Sequence, residues 1–190
     1  RKGYEVSALE LADANIAAFK TKLTPEDQVD FVQGNALDLS RYADKYFDIV
    51  LLFGPLYHLQ NDADKLKCIS GAKRVTKDGG KIFFAFISND FIFLTEFSLN
   101  QSYFSDGDYD KESFKLNDFP FVFHPVGAAR KLLSDGGIKV LCEVASDGAS
   151  ELLEEKINGM SDEDYSQYLR YHFYICEKPE LFGMSNHLLF

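Results

Sequence analysis

An acidic residue, Glu10, follows the first β-rich run of the chain, residues 4–9. At the carboxyl end of a strand, a carboxylate can accept hydrogen bonds from both ribose hydroxyls of a bound nucleoside, because it offers two acceptor oxygens. The same acid would also suit the start of a solvated helix, where the helix dipole favours a negative charge. Glu10 alone leaves these two roles open.

A small turn, Gly34-Asn35-Ala36, follows a second β-rich run at residues 29–33. The amide of Asn35 can hydrogen-bond the edge of an adenine with its donor and acceptor groups together, and Ala36 supplies a main-chain N–H without bulk. A plain Gly-Asn turn accounts for the same residues. The residues by themselves favour the turn.

A third run, residues 47–53, is almost entirely apolar and ends in Gly54 and Pro55, with Tyr57 and His58 close behind. This pattern predicts a fully buried parallel strand that delivers a ligand-binding loop at its carboxyl end. Gly54 and Pro55 bring the main chain close to a ligand in a rigid turn. Tyr57 and His58 are candidate proton-transfer groups, and His58 is a candidate general base. Because no second acid or nucleophile orients it, a histidine that holds the loop together is the favoured alternative.

The elements that must position these residues alternate along the chain. Apolar runs predict strands over residues 4–9, 29–33, 47–53, 81–87, 138–144 and 186–190. Apolar residues at helical spacing predict helices over residues 12–23, 62–75, 91–99, 125–134, 150–158 and 162–176. Residues 77–80 are predicted to form a turn. This alternation of strands and helices predicts an α/β fold with a parallel, doubly wound sheet.

Residues 88–124 interrupt the alternation with a long segment rich in phenylalanine and tyrosine. A connection of this length is usually a lid or a binding loop, since passive connections are shorter. Its aromatic residues could line an apolar or aromatic substrate pocket, with Tyr103 and Tyr109 as polar tips. Packing of the lid onto the sheet is the favoured explanation for most of them.

The composition is that of one globular domain. The chain has 190 residues, of which 46% are hydrophobic and 26% charged. No apolar run approaches the roughly 20 residues that span a bilayer, and no secretory signal opens the sequence, so we expect a cytoplasmic protein without membrane contacts. Its formal net charge of −10 disfavours a nucleic-acid partner and favours small molecules.

The three cysteines, Cys68, Cys142 and Cys176, are widely separated. Their spacing matches neither a zinc cluster nor a disulfide framework. We therefore expect buried free thiols and no metal site.

Five motifs stand in a fixed order along the chain. They are Y-E-V-S-A-L-E-L at residues 4–11, F-V-Q-G-N-A at 31–36, the strand and G-P-L-Y-H-L loop at 47–59, R-V-T-K-D-G-G-K-I at 74–82 and S-N-H-L-L-F at 185–190. Together they resemble the class I S-adenosylmethionine-dependent methyltransferases, and more narrowly the bacterial small-molecule type. The resemblance covers essentially the whole chain. It implies a Rossmann-like, three-layer αβα sandwich whose mostly parallel sheet has an antiparallel last strand.

The resemblance also implies the cofactor S-adenosylmethionine and a set of residues that bind it. These are Glu10 with Leu11 at the ribose hydroxyls, Asn35 and Ala36 at the adenine, and Phe53, Gly54 and Pro55 beside the methionine part and the methyl group. The family commonly has an aspartate where Asn35 stands, so a charge-assisted bond to the adenine would become a neutral one. His58 or Tyr57 would take the proton of the methyl acceptor.

A second departure from the family is the lack of its first strand with the G-x-G-x-G loop. That strand would lie between residues 4–9 and 47–53. We therefore expect a single methyltransferase-like domain over residues 1–190, truncated at both ends, with residues 88–124 as a lid within it. Main-chain groups left unpaired in the sheet would weaken cofactor binding by this piece alone.

The leading hypothesis is methyl transfer to a small-molecule acceptor of aromatic or apolar character. A catalytically silent methyltransferase-like module that binds a nucleoside or a partner protein is the first alternative. A nicotinamide-dependent oxidoreductase is the second, since an acid after the second strand suits that class as well. The reversed final strand favours a methyltransferase over the oxidoreductase.

Overall fold

The computed structural model describes residues 3–190. Its strands are β1 (Val6–Glu10), β2 (Val29–Gln33), β3 (Phe47–Leu52), β4 (Thr76–Ser88), β5 (Phe123–His124), β6 (Val144–Ala145) and β7 (His187–Leu189). Its α-helices are α1 (Asp13–Lys22), α2 (Pro55–His58), α3 (Asp62–Val75), α4 (Asn89–Leu99), α5 (Tyr103–Asp106), α6 (Val126–Asp135), α7 (Glu154–Asn158) and α8 (Asp162–Ile175). Short 3₁₀ turns lie at Glu151–Leu153 and Pro179–Leu181.

The strands form two sheets. Strands β1 and β2 pair in parallel, and a second sheet has the order β3, β4, β7, β6, with β5 beside the end of β4. Strands β3 and β4 are parallel, whereas β7 is antiparallel to both β4 and β6. The α/β fold with a mostly parallel, Rossmann-like sheet and a reversed last strand is therefore confirmed. Within residues 3–190, no strand joins β1 to β3.

The prediction that β3 is fully buried is wrong. Leu52 is buried, whereas Ile49 and Leu51 are 54% and 59% exposed, as is Phe53 just beyond the strand at 51%. Successive side chains of a strand point to opposite faces, and nothing in residues 3–190 covers the face that carries the exposed set. The apolar run therefore predicted the strand correctly, but it did not predict that one face of the strand is exposed.

The main core lies on the other face of this sheet. Phe84 and Phe86 of β4 and Leu188 of β7 pack there against α3 and α6, and all of these side chains are buried. Helix α3 has the predicted bounds. Its apolar stripe faces the sheet, and the side chain of Asn61 caps it by accepting a hydrogen bond from the N–H of Asp64.

The turn predicted at residues 77–80 lies inside β4 instead of before it. Phe47 pairs with Thr76 and Ile49 with Lys81, so residues 77–80 bulge out between these two pairings. Gly79 has a φ of +79°, which favours glycine. The turn-forming residues thus bend a strand and do not end it.

The strand predicted over residues 138–144 is also largely wrong. Only Val144–Ala145 pairs, with β7, and Leu141 upstream is 67% exposed. The predicted buried thiols are confirmed for Cys68 and Cys176, but Cys142 is exposed. Within residues 3–190, no helix is long and apolar enough to cross a membrane, and no cluster of side chains is suited to a metal ion.

Aromatic residues of the 88–124 segment pack mainly against one another. Phe93, Tyr103, Tyr109 and Leu116 form a buried cluster that is separate from the main core. Tyr103 and Tyr109 are each 7% exposed. Their rings therefore stabilise the segment internally and are not the polar tips of a pocket.

Candidate active site

The carboxylate of Glu10 sits at the carboxyl end of β1, where helix α1 is about to begin. Its Oε1 accepts hydrogen bonds from the N–H groups of Leu11 at 2.8 Å and Ala12 at 2.9 Å. The bond from Ala12 is the main reason that the pKa of Glu10 lies below its ordinary value. The side chain is therefore an ionised, oriented acceptor. Its position at the helix start was one of the two predicted roles.

Asn35 lies beside Glu10 because their strands pair. The N–H of Gly34 donates to the carbonyl of Glu10 at 3.0 Å, which joins the ends of β1 and β2. Asn35 Oδ1 accepts from the N–H of Leu37 at 2.9 Å, the geometry of an Asx turn. Within residues 3–190, the N–H of Ala36 has no hydrogen-bond partner. The turn therefore leaves one amide side chain and one main-chain donor available at this edge.

Gly54 ends β3 with a φ of +125°, a conformation that side chains with a Cβ rarely adopt. A Cβ built at this position would lie 3.9 Å from the hydroxyl of Tyr57, so the phenol reaches back over the glycine. Helix α2 then begins at Pro55. Burial raises the pKa of Tyr57 above its ordinary value, so the phenol stays protonated at neutral pH.

Tyr57 and His58 meet the 88–124 segment through Phe121. The ring of His58 lies 5.1 Å from that of Phe121 and the ring of Tyr57 lies 6.2 Å from it, between centroids. The N–H of Val122 donates to the carbonyl of Tyr57 at 2.8 Å. His58 is exposed, and it is near enough to Glu10 for its electrostatic effect to be a minor cause of the lowered pKa of that carboxyl.

A histidine and aspartate pair lies on the other side of Tyr57. His187 Nδ1 is 2.7 Å from Asp147 Oδ2, and the ring of His187 is 6.4 Å from that of Tyr57. Burial alone would raise the pKa of Asp147, but the hydrogen bonds and charge of His187 outweigh it and lower this pKa. The hydrogen bond to Asp147 raises the pKa of His187 above its ordinary value.

A cleft of about 500 Å³ opens next to this pair, between α4 and α7. It is lined by Thr95, Ser98, Leu99, Ser150, Glu151, Glu154, Ile157 and Asn158. Asn186, the neighbour of His187, accepts a hydrogen bond from Thr95 Oγ1 at 3.1 Å and donates one to Glu151. The cleft wall and the His187–Asp147 pair are thus connected through one buried amide.

Comparison with known proteins gives one family match, to the first part of the chain. Residues 1–84 match the family model described as a methyltransferase domain, a span that ends within β4. None of the curated proteins matches the sequence. Residues 1–84, somewhat less than half of the chain, are thus similar in sequence to a methyltransferase domain.

Solved structures share the fold of this chain. A protein from Archaeoglobus fulgidus described as a SAM-dependent methyltransferase superposes with a TM-score of 0.56 at 15% identity, over 99% of this chain and 76% of that one. One from Thermotoga maritima, described as a possible histamine N-methyltransferase, has a TM-score of 0.54 at 14% identity, over 95% and 69%. A methyltransferase from Methanosarcina mazei has a TM-score of 0.52 at 17% identity, over 75% and 73%. At these identities the likeness establishes the fold alone.

These solved structures are described as SAM-dependent methyltransferases. Groups present at the ends of β1, β2 and β3 of this chain suit parts of an S-adenosylmethionine molecule. The ionised carboxylate of Glu10 suits a diol, and the amide of Asn35 with the free N–H of Ala36 suits a base edge. Gly54, with its positive φ, allows close approach of a ligand to the main chain.

The sequence pattern indicated the groups at these three strand ends but not the His187–Asp147 pair. The two residues are 40 positions apart, and no short motif links them. The S-N-H-L-L-F motif indicated a last strand. The position of His187 at the start of an antiparallel strand could have indicated the pair. The start of such a strand lies beside the carboxyl ends of the parallel strands, where ligands bind.

Proposed function

We propose that the protein transfers a methyl group from S-adenosylmethionine to a small-molecule acceptor. The observation that carries this proposal is the contact of Tyr57 and His58 with Phe121. The loop after β3 and the 88–124 segment thereby contact each other at the carboxyl edge of the sheet and present aromatic and polar side chains there. Side chains of this kind are typical of sites for small organic molecules.

The proposed cofactor site lies at the carboxyl ends of β1, β2 and β3. Glu10, with Leu11 beside it, binds the ribose hydroxyls. Asn35 and the N–H of Ala36 bind the adenine. The loop of Phe53, Gly54 and Pro55 flanks the methionine part and the methyl group.

Methyl transfer requires little acid–base catalysis by the protein. S-adenosylmethionine supplies a methyl group on a positively charged sulfur, which leaves as a neutral thioether. The chain's own task is to align the acceptor with that methyl group and to exclude water. Residues 88–124 are proposed as the lid that does so, because Val122 binds the main chain of Tyr57 directly.

Tyr57 and His58 are proposed to contact the acceptor. The raised pKa of Tyr57 favours a hydrogen-bond donor over a proton acceptor. Within residues 3–190, His58 has no carboxylate in hydrogen-bond contact to orient its ring. These features support binding roles for both side chains, with His58 at the exposed rim.

We also propose that a further parallel strand completes the sheet between β1 and β3. The support is that these strands lie in separate sheets and that an apolar face of β3 is exposed. Unpaired N–H and C=O groups along both strands could be satisfied by one inserted strand. Polypeptide outside these 190 residues would supply it.

The function is tested by incubating the protein with S-adenosylmethionine and a panel of phenols, amines and carboxylic acids. Release of S-adenosylhomocysteine together with a methylated product is the expected result. Cofactor binding without turnover on any small acceptor would instead favour the silent binding module. The completed-sheet proposal predicts tighter cofactor binding by a longer polypeptide containing that strand than by the 190-residue chain. Equal affinity would contradict it.

A further inference from the structure

His187 lies at the edge of the sheet where the proposed reaction takes place. It begins β7, which runs antiparallel to β4, and it pairs with Ile87 near the carboxyl end of β4. The start of an antiparallel strand therefore lies beside the ends of the parallel strands. Its side chain is 43% exposed, so a ligand can reach it.

The contacts of His187 fix which ring nitrogen carries the proton. Asp147 Oδ2 accepts from the backbone N–H of His187 at 2.7 Å and lies 2.7 Å from Nδ1. Because an ionised carboxylate only accepts hydrogen bonds, Nδ1 must be the donor. In the neutral ring, Nε2 then holds the lone pair. Within residues 3–190, no group forms a hydrogen bond with Nε2.

Two serines hold the pair in place. Ser185 is fully buried, and its Oγ accepts from the N–H of Asp147 at 3.0 Å and donates to the carbonyl of His187 at 2.8 Å. Ser146 Oγ donates to the same carbonyl at 3.0 Å. The main chains of both partners are therefore joined through side chains, which keeps the imidazole in one orientation.

The charges around His187 make its imidazole more basic. Asp147 and Glu151 are the charged groups that act on its ring, and both are acidic, while the neutral phenol of Tyr57 faces it from α2. Acidic neighbours stabilise the imidazolium form. A base is most effective when its pKa lies near the working pH.

We propose, on the basis of the proposed function, that Nε2 of His187 accepts the proton released by the methyl acceptor and that Asp147 positions the ring. The acceptor is then a hydroxyl or an amine that carries a proton. Its oxygen or nitrogen forms the new bond to the methyl carbon as the carbon–sulfur bond breaks, and the bonding electrons remain on sulfur. The proton passes to Nε2 and afterwards to water.

The proposed role as proton acceptor fits His187 better than His58. Both rings lie near Tyr57, but only His187 has a carboxylate that fixes its tautomer. A fixed tautomer keeps the lone pair directed to one side, which an exposed, unpaired imidazole does not do. The phenol of Tyr57 can hydrogen-bond the acceptor between them.

The first test is NMR titration of the histidine ring protons, which needs no cofactor. His187 should titrate above the ordinary pKa of about 6.5, and Asp147→Asn should lower its midpoint. A midpoint that does not respond to Asp147→Asn would overturn the pairing. His187→Gln identifies the resonance.

The second test is the pH profile of methyl transfer with a neutral acceptor, such as a phenol that is a substrate. His187→Gln should lower kcat by about 100-fold or more while changing KM little. Asp147→Asn should lower kcat and move the acidic limb to lower pH, and Asp147→Glu should restore part of the rate. Calorimetry with S-adenosylmethionine checks that each variant still binds the cofactor.

The outcomes of these experiments distinguish the proposal of methyl transfer from the proposal that His187 accepts the proton. A wild-type rate in His187→Gln at every pH would overturn the role of His187 and leave methyl transfer intact. Cofactor binding without transfer to any acceptor would overturn the proposed function and, with it, the proton transfer. A variant that loses both rate and cofactor binding equally would contradict a specific role of His187 in proton transfer.

Discussion

Val122 donates its backbone N–H to the carbonyl oxygen of Tyr57 at 2.8 Å, which attaches the 88–124 segment directly to the loop after β3. This bond places Phe121 against the rings of Tyr57 and His58. The segment that interrupts the α/β alternation therefore contacts the loop at the end of β3. The position of Phe121 depends on main-chain pairing and not on side-chain packing alone.

Phe121→Ala should weaken binding of the methyl acceptor, because it removes an aromatic wall next to Tyr57. Loss of about 1 kcal/mol of aromatic contact corresponds to a rise in KM of roughly 5- to 10-fold. Affinity for S-adenosylmethionine should change little. Steady-state kinetics with the acceptor varied provide the measurement.

The matched control is Phe119→Ala, two residues away. Phe119 is 86% exposed, so its removal should leave KM unchanged. Similar effects of the two substitutions would show that Phe121 has no special contact with the acceptor.

Gly54→Ala should damage the loop after β3. The φ of +125° at Gly54 is strained for alanine, and we expect a loss of about 1–3 kcal/mol in the free energy of unfolding. Cofactor binding should weaken as well, since the loop is proposed to flank the methionine part. Urea denaturation and calorimetry measure the two effects.

Gly127→Ala serves as the comparison for Gly54. Gly127 lies in α6, and a Cβ there meets nothing within 4 Å. The change should be neutral or stabilise the protein by up to about 1 kcal/mol. If Gly54→Ala is as stable as Gly127→Ala and binds the cofactor normally, the loop geometry is not essential.

His124 should make the protein less stable in acid. It is 5% exposed, neither ring nitrogen has a hydrogen-bond partner in the part of the chain that the structure describes, and burial lowers its pKa from 6.5 to about 4. The unfolded state therefore binds the proton first as the pH falls. Stability contributed by neutral His124 is fully present above about pH 6.5 and is lost as the pH falls toward about 4, by up to about 3 kcal/mol.

Comparison with His124→Leu isolates this effect. The difference in unfolding free energy between wild type and variant should shift in favour of the variant between pH 6.5 and pH 4, because leucine binds no proton. Urea denaturation at several pH values gives this difference. A constant difference across the range would mean that His124 titrates normally.

The sequence predicted what depends on local pattern. Helix α3 has its predicted bounds because an apolar stripe and an Asn61 cap define it, and β2 is as predicted because its β-rich run ends at the turn of Gly34 and Asn35. The cover over Ile49 and Leu51 could not be predicted, since it depends on which elements pack against that face. The His187–Asp147 pair depends on the meeting of β7 with the segment after β6, which sequence spacing does not reveal.

For the proposed cofactor site, too, the sequence predicted the positions of the residues but not their contacts. Glu10 and Asn35 were located from their places after two strands, and strand pairing brings them together. Glu10 accepts a hydrogen bond from the N–H of Ala12, and Asn35 accepts one from the N–H of Leu37. The sequence could not predict these bonds, because a carboxylate or an amide at a strand end can accept hydrogen bonds from its own main chain, from a ligand or from both.

Binding of S-adenosylmethionine by Glu10 is the measurement that tests the proposed site most directly. Titration calorimetry on the longer polypeptide with a completed sheet should show saturable binding. Glu10→Ala should weaken it by about 10-fold or more, since charge-assisted hydrogen bonds are worth about 1.5–3 kcal/mol. Glu5→Ala, which removes an exposed carboxylate nearby, should leave it unchanged. Equal affinity of wild type and Glu10→Ala would contradict the proposed cofactor site.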